Sequence, residues 1–287
     1  MSISQTLSIA LTVASLSCQA YVPPIPALLK EALSGRKTAG TFEVSLSHRV
    51  KVSTDSEPIV VTERIVRNKN QYLLFFRSPG VESVIPGSWN GKEYRLPENK
   101  LYPSDSRAFM RVLLSVSSDE LLPTLLNEEF VRRDQIPQYK SDFKFEGDPN
   151  LWNMRENYLI QPNIAIRRTA DSTAYAITGL IDGKNRRSIW IDRSLKGVAR
   201  LEWTTESGTT SWNFSNFTSQ PLGGYYPKTM SFETQALTLV ETTLEYAKPI
   251  NTDQLRETKK TFEQAVKGHP ALPSSLDGAL KVLLSFR

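Results

Sequence analysis

The sequence predicts a mainly β, α+β fold: a large antiparallel sheet or barrel that curves round helices from the middle of the chain. Three observations carry this expectation. Short alternating segments recur at a spacing of roughly ten residues, as in sheets built from consecutive hairpins. Asn90-Gly91 and Asp182-Gly183 supply the turn chemistry that such hairpins need. The stretch from Tyr102 to Phe130 breaks the pattern, reading as helix and apolar on more than one side.

Taken in order, Pro23, Pro24 and Pro26 make a stiff lead-in to a short helix from Ala27 to Leu33, and Gly35 stands where a C-terminal cap belongs. Thr41 to Val52 alternates, with Phe42, Val44, Leu46, Val50 and Val52 on one face. Pro58 to Arg67 and Asn70 to Arg77 read as the next two strands, with Lys69-Asn70 between them, and Trp89 to Lys92 as a hairpin continued by Tyr94 and Leu96. Gln135 to Asn153 is polar and Pro-bearing. Strands are expected again at Asn157 to Gln161, Ile164 to Thr169, Ala174 to Leu180, Ser188 to Asp192, Val198 to Thr205, Thr209 to Phe217, Lys228 to Gln235 and Leu237 to Tyr246. A mostly polar helix follows from Asp253 to Lys267, and a last short one near Leu276 to Leu284.

Inside the central stretch, Ser104 and Asp105 are candidate helix N-caps. Phe109, Leu113 and Val116 form one stripe, and Met110, Leu114 and Leu121 a second beside it. Ser117 and Glu120 have the spacing of a capping box that restarts the helix, which Pro123 then kinks or ends. So wide an apolar surface needs a concave partner. The strands place apolar residues on one face only, so a sheet curling round movable helices would use both patterns and leave an apolar cavity suited to acyl chains. Phe109, Met110, Leu113, Leu114, Leu121 and Leu122 would line it from the lid, and Tyr72, Leu74 and Phe76 from the sheet.

Net charge is +5, but the 35 Lys and Arg are scattered among 30 Asp and Glu with no basic element of the kind that grips nucleic acid, so no nucleic-acid partner is expected. Leu7 to Leu16 is an uncharged apolar run of signal-peptide length, and Cys18-Gln19-Ala20 can serve as a cleavage site. Residues 1–20 are therefore read as a signal peptide, with lipidation at Cys18 as the alternative, and the protein as exported. The single cysteine is Cys18, so residues 21–287 offer no disulfide, thiolate metal site or cysteine nucleophile.

Catalytic signals are absent from the sequence. The two histidines, His48 and His269, are far apart, and a structural role is the better reading of both. Gly87-Ser88-Trp89-Asn90-Gly91 misplaces the serine of a nucleophile elbow, and no phosphate loop or paired-histidine metal motif occurs. No enzyme activity, metal or cofactor is expected. Trp190, Trp203, Trp212, Phe214, Phe217, Tyr225 and Tyr226 crowd the second half and are read mainly as core.

The order and local wording of these segments resemble the LolA-like family of periplasmic lipoprotein carriers and its RseB-like relatives. The likeness lies in the helix from Ala27 to Leu33 before Thr41-Phe42-Glu43-Val44, the basic-then-aromatic strand from Arg67 to Phe76, and Asn90-Gly91-Lys92 before Tyr94. It continues in Phe109-Met110 with Leu113-Leu114, in Ile189-Trp190-Ile191-Asp192, in Ala199 to Trp203, and in Tyr226-Pro227-Lys228. It covers roughly Ala27 to Ile250. The resemblance implies an unclosed barrel over residues 21–250, a lid at about 104–127, and a helical extension at 251–287 that departs from the pattern. It also implies acyl-chain binding without catalysis or metal, and Arg67 as the latch of the lid. The function expected is periplasmic binding and transport of acylated cargo in outer-membrane lipoprotein sorting, by a monomer that meets inner- and outer-membrane lipoprotein-handling proteins. The alternative is a non-catalytic lipid or envelope-stress sensor that acts by binding a partner protein, as RseB-like proteins do.

Overall fold

The computed structural model describes residues 23–36, 40–53, 55–68, 71–97, 100–103, 108–136, 164–169, 172–194, 197–235, 237–268 and 272–287. The expectations placed on residues 1–20, on Cys18, on Ser104 and Asp105, on the strand at 157–161 and on His269 lie outside them.

A short helix α1 (Ile25–Ala32) leads into β1 (Thr41–Val50), β2 (Ile59–Asn68), β3 (Gln71–Arg77), β4 (Ile85–Trp89), β5 (Glu93–Arg95) and β6 (Leu101–Pro103). Two lid helices follow, α2 (Ala108–Leu114) and α3 (Ser118–Asn127), then a 3-10 turn at Arg133–Gln135. The second run of strands is β7 (Ile164–Arg168), β8 (Thr173–Asp182), β9 (Asn185–Asp192), β10 (Val198–Thr205), β11 (Gly208–Ser219), β12 (Tyr225–Thr234) and β13 (Leu237–Pro249). Helices α4 (Thr252–Gly268) and α5 (Ser274–Ser285) complete the described chain.

Among the described residues the strands form one 13-stranded sheet in the order β6-β5-β4-β3-β2-β1-β13-β12-β11-β10-β9-β8-β7. Every neighbouring pair is antiparallel, and the sheet does not close. Because β1 pairs with β13, the outermost of the described strands are β6 and β7, the two that flank the lid in sequence. The turn glycines do what their position demands: Gly91 and Gly183 have φ of 93° and 56°, which a residue with a Cβ adopts reluctantly.

Register sets which side chains share the inner face. Tyr94, Trp89, Tyr72, Arg67 and Phe42 lie in one row across β5 to β1. Phe76, Glu63, Leu46 and Leu244 form another. Their aliphatic and aromatic members join α1, α2, α3 and α5 in one continuous core. The outer face behaves differently. There Phe75 meets Phe262 of α4 edge-on at 5.7 Å, and Glu43 holds Arg64 at 2.7 Å and accepts from the Tyr246 hydroxyl at 2.5 Å. Arg64 also donates to Thr258 of α4 at 3.1 Å. Thus α4 dresses the outer face while α5 returns to the inner one.

One local expectation needs correction. Ser117 makes no side-chain cap at the start of α3; Glu120 instead accepts the Val116 amide at 3.1 Å and turns its carboxylate to Arg67. Of the two outcomes expected at Pro123, a kink or an end, the helix does not end there, since it runs on to Asn127. Leu101–Pro103, ahead of the expected caps Ser104 and Asp105, forms the short strand β6.

Candidate functional site

Helix α2 has no solvent face to speak of. Ala108, Phe109, Met110, Val112, Leu113 and Leu114 are all buried, because the helix lies inside the curl of the sheet and is apolar everywhere but at Arg111. Phe109 packs on Trp212 with ring centroids 4.0 Å apart, and Phe214 stacks beyond at 5.9 Å. On α3, Leu121 is fully buried and Leu122 packs on the core from a partly exposed position. Tyr72, Leu74 and Phe76 face inward, at 2%, 0% and 0% exposure. The nine residues singled out as cavity lining therefore all belong to, or pack on, one apolar cluster on the concave side.

Polar contacts hold the lid at separate points. Arg67, on the inner row of β2, grips Glu120 of α3 through two parallel hydrogen bonds of 3.1 and 2.6 Å, the fork geometry that favours arginine over lysine. Burial alone would raise the Glu120 pKa, but the Arg67 and Val116 hydrogen bonds outweigh it and keep the carboxylate charged. At the other helix, Arg36 donates to the main-chain oxygens of Val112 at 3.0 Å and Ser115 at 2.9 Å, and with longer geometry to Leu113. These carbonyls end α2 without intrahelical partners, and a cation there also meets the negative end of the helix dipole. The rest of the same guanidinium donates to the Tyr225 oxygen at 3.2 and 3.1 Å and lies 4.1 Å over the Tyr226 ring. Burial pulls the Arg36 pKa down from the ordinary arginine range, yet the guanidinium remains a cation at neutral pH. Sequence reading passed over Arg36, whose only signal was an arginine just past the α1 cap glycine, Gly35.

Beyond α3 the chain is tied to the second half of the sheet. The Glu129 oxygen accepts from the Leu180 amide at 2.8 Å, Gln135 Nε2 donates to the Thr178 oxygen at 2.8 Å, and Arg187 donates to the Glu128 oxygen at 2.6 Å. Glu129 takes φ of 58° to make this approach, and Gly179 permits it: a Cβ there would stand 2.1 Å from the Glu129 oxygen.

The hollow expected beneath the lid is occupied by α5. Leu276, Ala279, Leu280, Leu283 and Leu284 are buried in the same cluster as α2. Phe286 stacks on Phe232 at 4.2 Å, and its main-chain oxygen accepts from Trp212 Nε1 at 2.6 Å. Arg287, fully buried, pairs with Glu63 through bonds of 2.6 and 2.8 Å and approaches the Met110 sulfur at 3.3 Å. His48 completes the group, with Nε2 3.1 Å from Glu63 and Nδ1 2.8 Å from the Thr242 hydroxyl. Burial lowers the His48 pKa more than Glu63 raises it, so the ring is neutral; its Nε2–H donates to the carboxylate and Nδ1 accepts from Thr242. Burial would raise the Glu63 pKa, but the Arg287 charge and the hydrogen bonds from His48 and Arg287 hold it at about 2. A cleft of about 470 Å3 does open at the lid seam, but it is rimmed by Arg67, Lys92, Arg111 and Glu120 and is not the apolar hollow.

No family model and no curated protein matches the chain. Among solved structures it is similar to a LolA superfamily protein from Nitrosomonas europaea, with 14% identity over 82% of this chain and 97% of that one and a TM-score of 0.46. It is similar also to a domain named for outer membrane lipoprotein sorting from Vibrio parahaemolyticus, at 7% identity over 81% and 96%, TM-score 0.44. A DUF1329 family protein from Desulfovibrio piger gives 10% identity over 80% and 95%, TM-score 0.35. The architecture that the LolA-like resemblance implies, an open antiparallel sheet with a helical lid, is the one described above.

Proposed function

We propose that this protein is a non-catalytic binder of acyl chains, and that its finer role is the periplasmic carriage of acylated cargo in lipoprotein sorting. The observation that carries the reading is the way α2 is held: mainly apolar contacts under the helix, interrupted by Arg287 at the Met110 sulfur, with further polar clasps at its end through Arg36 and at Arg67–Glu120 on α3. Apolar contacts are non-directional, so an acyl chain can replace them methylene for methylene at roughly 0.8 kcal/mol each. A chain of about a dozen methylenes thus gains on the order of 10 kcal/mol gross, enough to offset partial release of a short helix. Arg67 is proposed as one latch, as the resemblance implies, and Arg36 as a second. Phe109, Met110, Leu113, Leu114, Leu121, Leu122, Tyr72, Leu74 and Phe76 are the proposed lining.

Nothing in the group around Glu63 and His48 forms a nucleophile with a base in an open cleft, which favours binding over turnover. Among the described residues no helix is long and apolar enough to cross a membrane. The test is displacement of a fluorescent fatty-acyl probe from the purified chain. Saturable binding that competes with unlabelled acyl chains supports the reading, and a chain that binds no acyl probe removes it. Capture of one membrane partner with no acyl binding would favour the sensor alternative.

A further inference from the structure

The concave face carries a feature that an acyl chain alone has no use for. Glu63 is 1% exposed and lies on the inner row between Leu46 and Phe76, its register partners on β1 and β3. A carboxylate placed there needs a cation as well as hydrogen bonds. His48 supplies a hydrogen bond but, being neutral, no charge. The charge comes from Arg287, carried in on α5.

In chemical outline α5 is an amphiphile: an aliphatic body of Leu276, Leu280, Leu283 and Leu284 followed by a guanidinium head. It fills the concave face as a ligand would, and its head also bears on the lid, with Met110 at 3.3 Å and the Phe109 ring at 5.8 Å. We propose that α5 is the protein's own occupant of the acyl site, and that the external ligand that displaces it couples an aliphatic chain to a cationic head that takes over Glu63. The proposal rests on the acyl-binding reading above and narrows its ligand class.

The selectivity follows from charge. When α5 leaves, Glu63 loses its countercharge inside an apolar wall, and removing one member of a buried pair is strongly unfavourable. An alkylammonium restores the pair. A fatty carboxylate adds a second anion, and a fatty alcohol leaves the first uncompensated. Release of Arg287 also withdraws a contact from the underside of α2, so filling the site and loosening the lid are one event. Because α5 competes for the site, apparent affinity is the intrinsic affinity reduced by the fraction of molecules with α5 displaced.

The experiment uses the full chain with dodecylamine, dodecanol and dodecanoate below their micelle concentrations, displacing a fluorescent acyl probe, with amide hydrogen exchange read on α5. Dodecylamine should displace the probe at a concentration at least ~10-fold below dodecanoate, and should speed exchange of the α5 amides while α1 stays protected. Glu63→Gln together with Arg287→Met, which empties the pair without stranding a charge, should abolish that preference. Equal affinities for the three amphiphiles, or amine binding with α5 still protected, overturns the proposal and leaves the acyl reading standing. If the acyl probe does not bind at all, both fall.

Discussion

Arg67 and Glu120 form a two-pronged ion pair, 2.6 Å at its shorter arm, between the inner row of β2 and the second lid helix. It sits at the rim of the seam cleft and is partly open to water, so its net worth is about 1 kcal/mol rather than that of a buried pair. Its loss is therefore a test of the lid that leaves the fold intact. Glu120→Gln should lower the melting temperature by only a few degrees, yet speed amide exchange in α3 and the uptake rate of an acyl probe. Faster exchange with no change in uptake would separate this pair from gating.

Arg36 is the harder clasp to lose. Its guanidinium serves the Val112 and Ser115 oxygens on one side and the Tyr225 oxygen on the other, at 6% exposure. Arg36→Ala strands these acceptors in the interior, at a cost of roughly 3 kcal/mol or more. Arg36→Lys should recover only part of it, because a single ammonium cannot reach both sides at once. Urea unfolding of the two variants checks the order; a lysine variant as stable as the parent would contradict the bridging role.

The difference between Arg67 and Arg36 shows what was legible beforehand. Strands and hairpins announced themselves through alternation and through Asn90-Gly91 and Asp182-Gly183, since these signals are local. The inner-facing set Tyr72, Leu74 and Phe76 followed from period alone. What sequence could not supply was pairing across distance. Arg36 meets carbonyls 76 to 79 residues away, and Arg287 meets a glutamate 224 residues away. Main-chain oxygens carry no residue signature, so nothing marked the first. The last short helix was expected near Leu276 to Leu284, but a helix by itself is equally at home on either side of a sheet. On the inner side Arg287 meets Glu63, whose place in an otherwise apolar row is a local misfit visible in the sequence.

Gly179 tests how the lid is joined to the far edge of the sheet. Its Cα passes so close to the Glu129–Phe130 backbone that an added Cβ would meet the Phe130 carbonyl carbon at 2.5 Å. Main chain on both sides cannot yield as a flexible side chain would, so Gly179→Ala must push the end of α3 from β8 and lengthen the Leu180–Glu129 bond of 2.8 Å. A loss of about 2 kcal/mol or more is expected, with exchange rising first at Leu180. Unchanged stability would mean that the close approach is not maintained in solution.

The buried group of His48, Glu63 and Arg287 makes the protein acid-sensitive in two separable steps. His48 has its folded pKa depressed by burial, so its contribution is complete above the unfolded value near 6.5 and falls as acid drives a proton onto the unfolded chain that the folded one refuses. Glu63, held at about 2 in the fold, acts in the same direction over a lower range: its contribution is whole above about pH 4.5 and drains away toward pH 2. The first step has a slope of at most about 1.4 kcal/mol per pH unit. His48→Gln keeps a donor for Glu63 but cannot titrate, so it should flatten unfolding free energy between about pH 6.5 and 5 while leaving the steeper loss below 4.5 in place. Urea melts of parent and variant at intervals from pH 7.5 to 3 give both slopes. If the two curves run parallel through pH 6, the imidazole is already solvated in the folded protein, and the closed packing of α5 over Glu63 does not hold in solution.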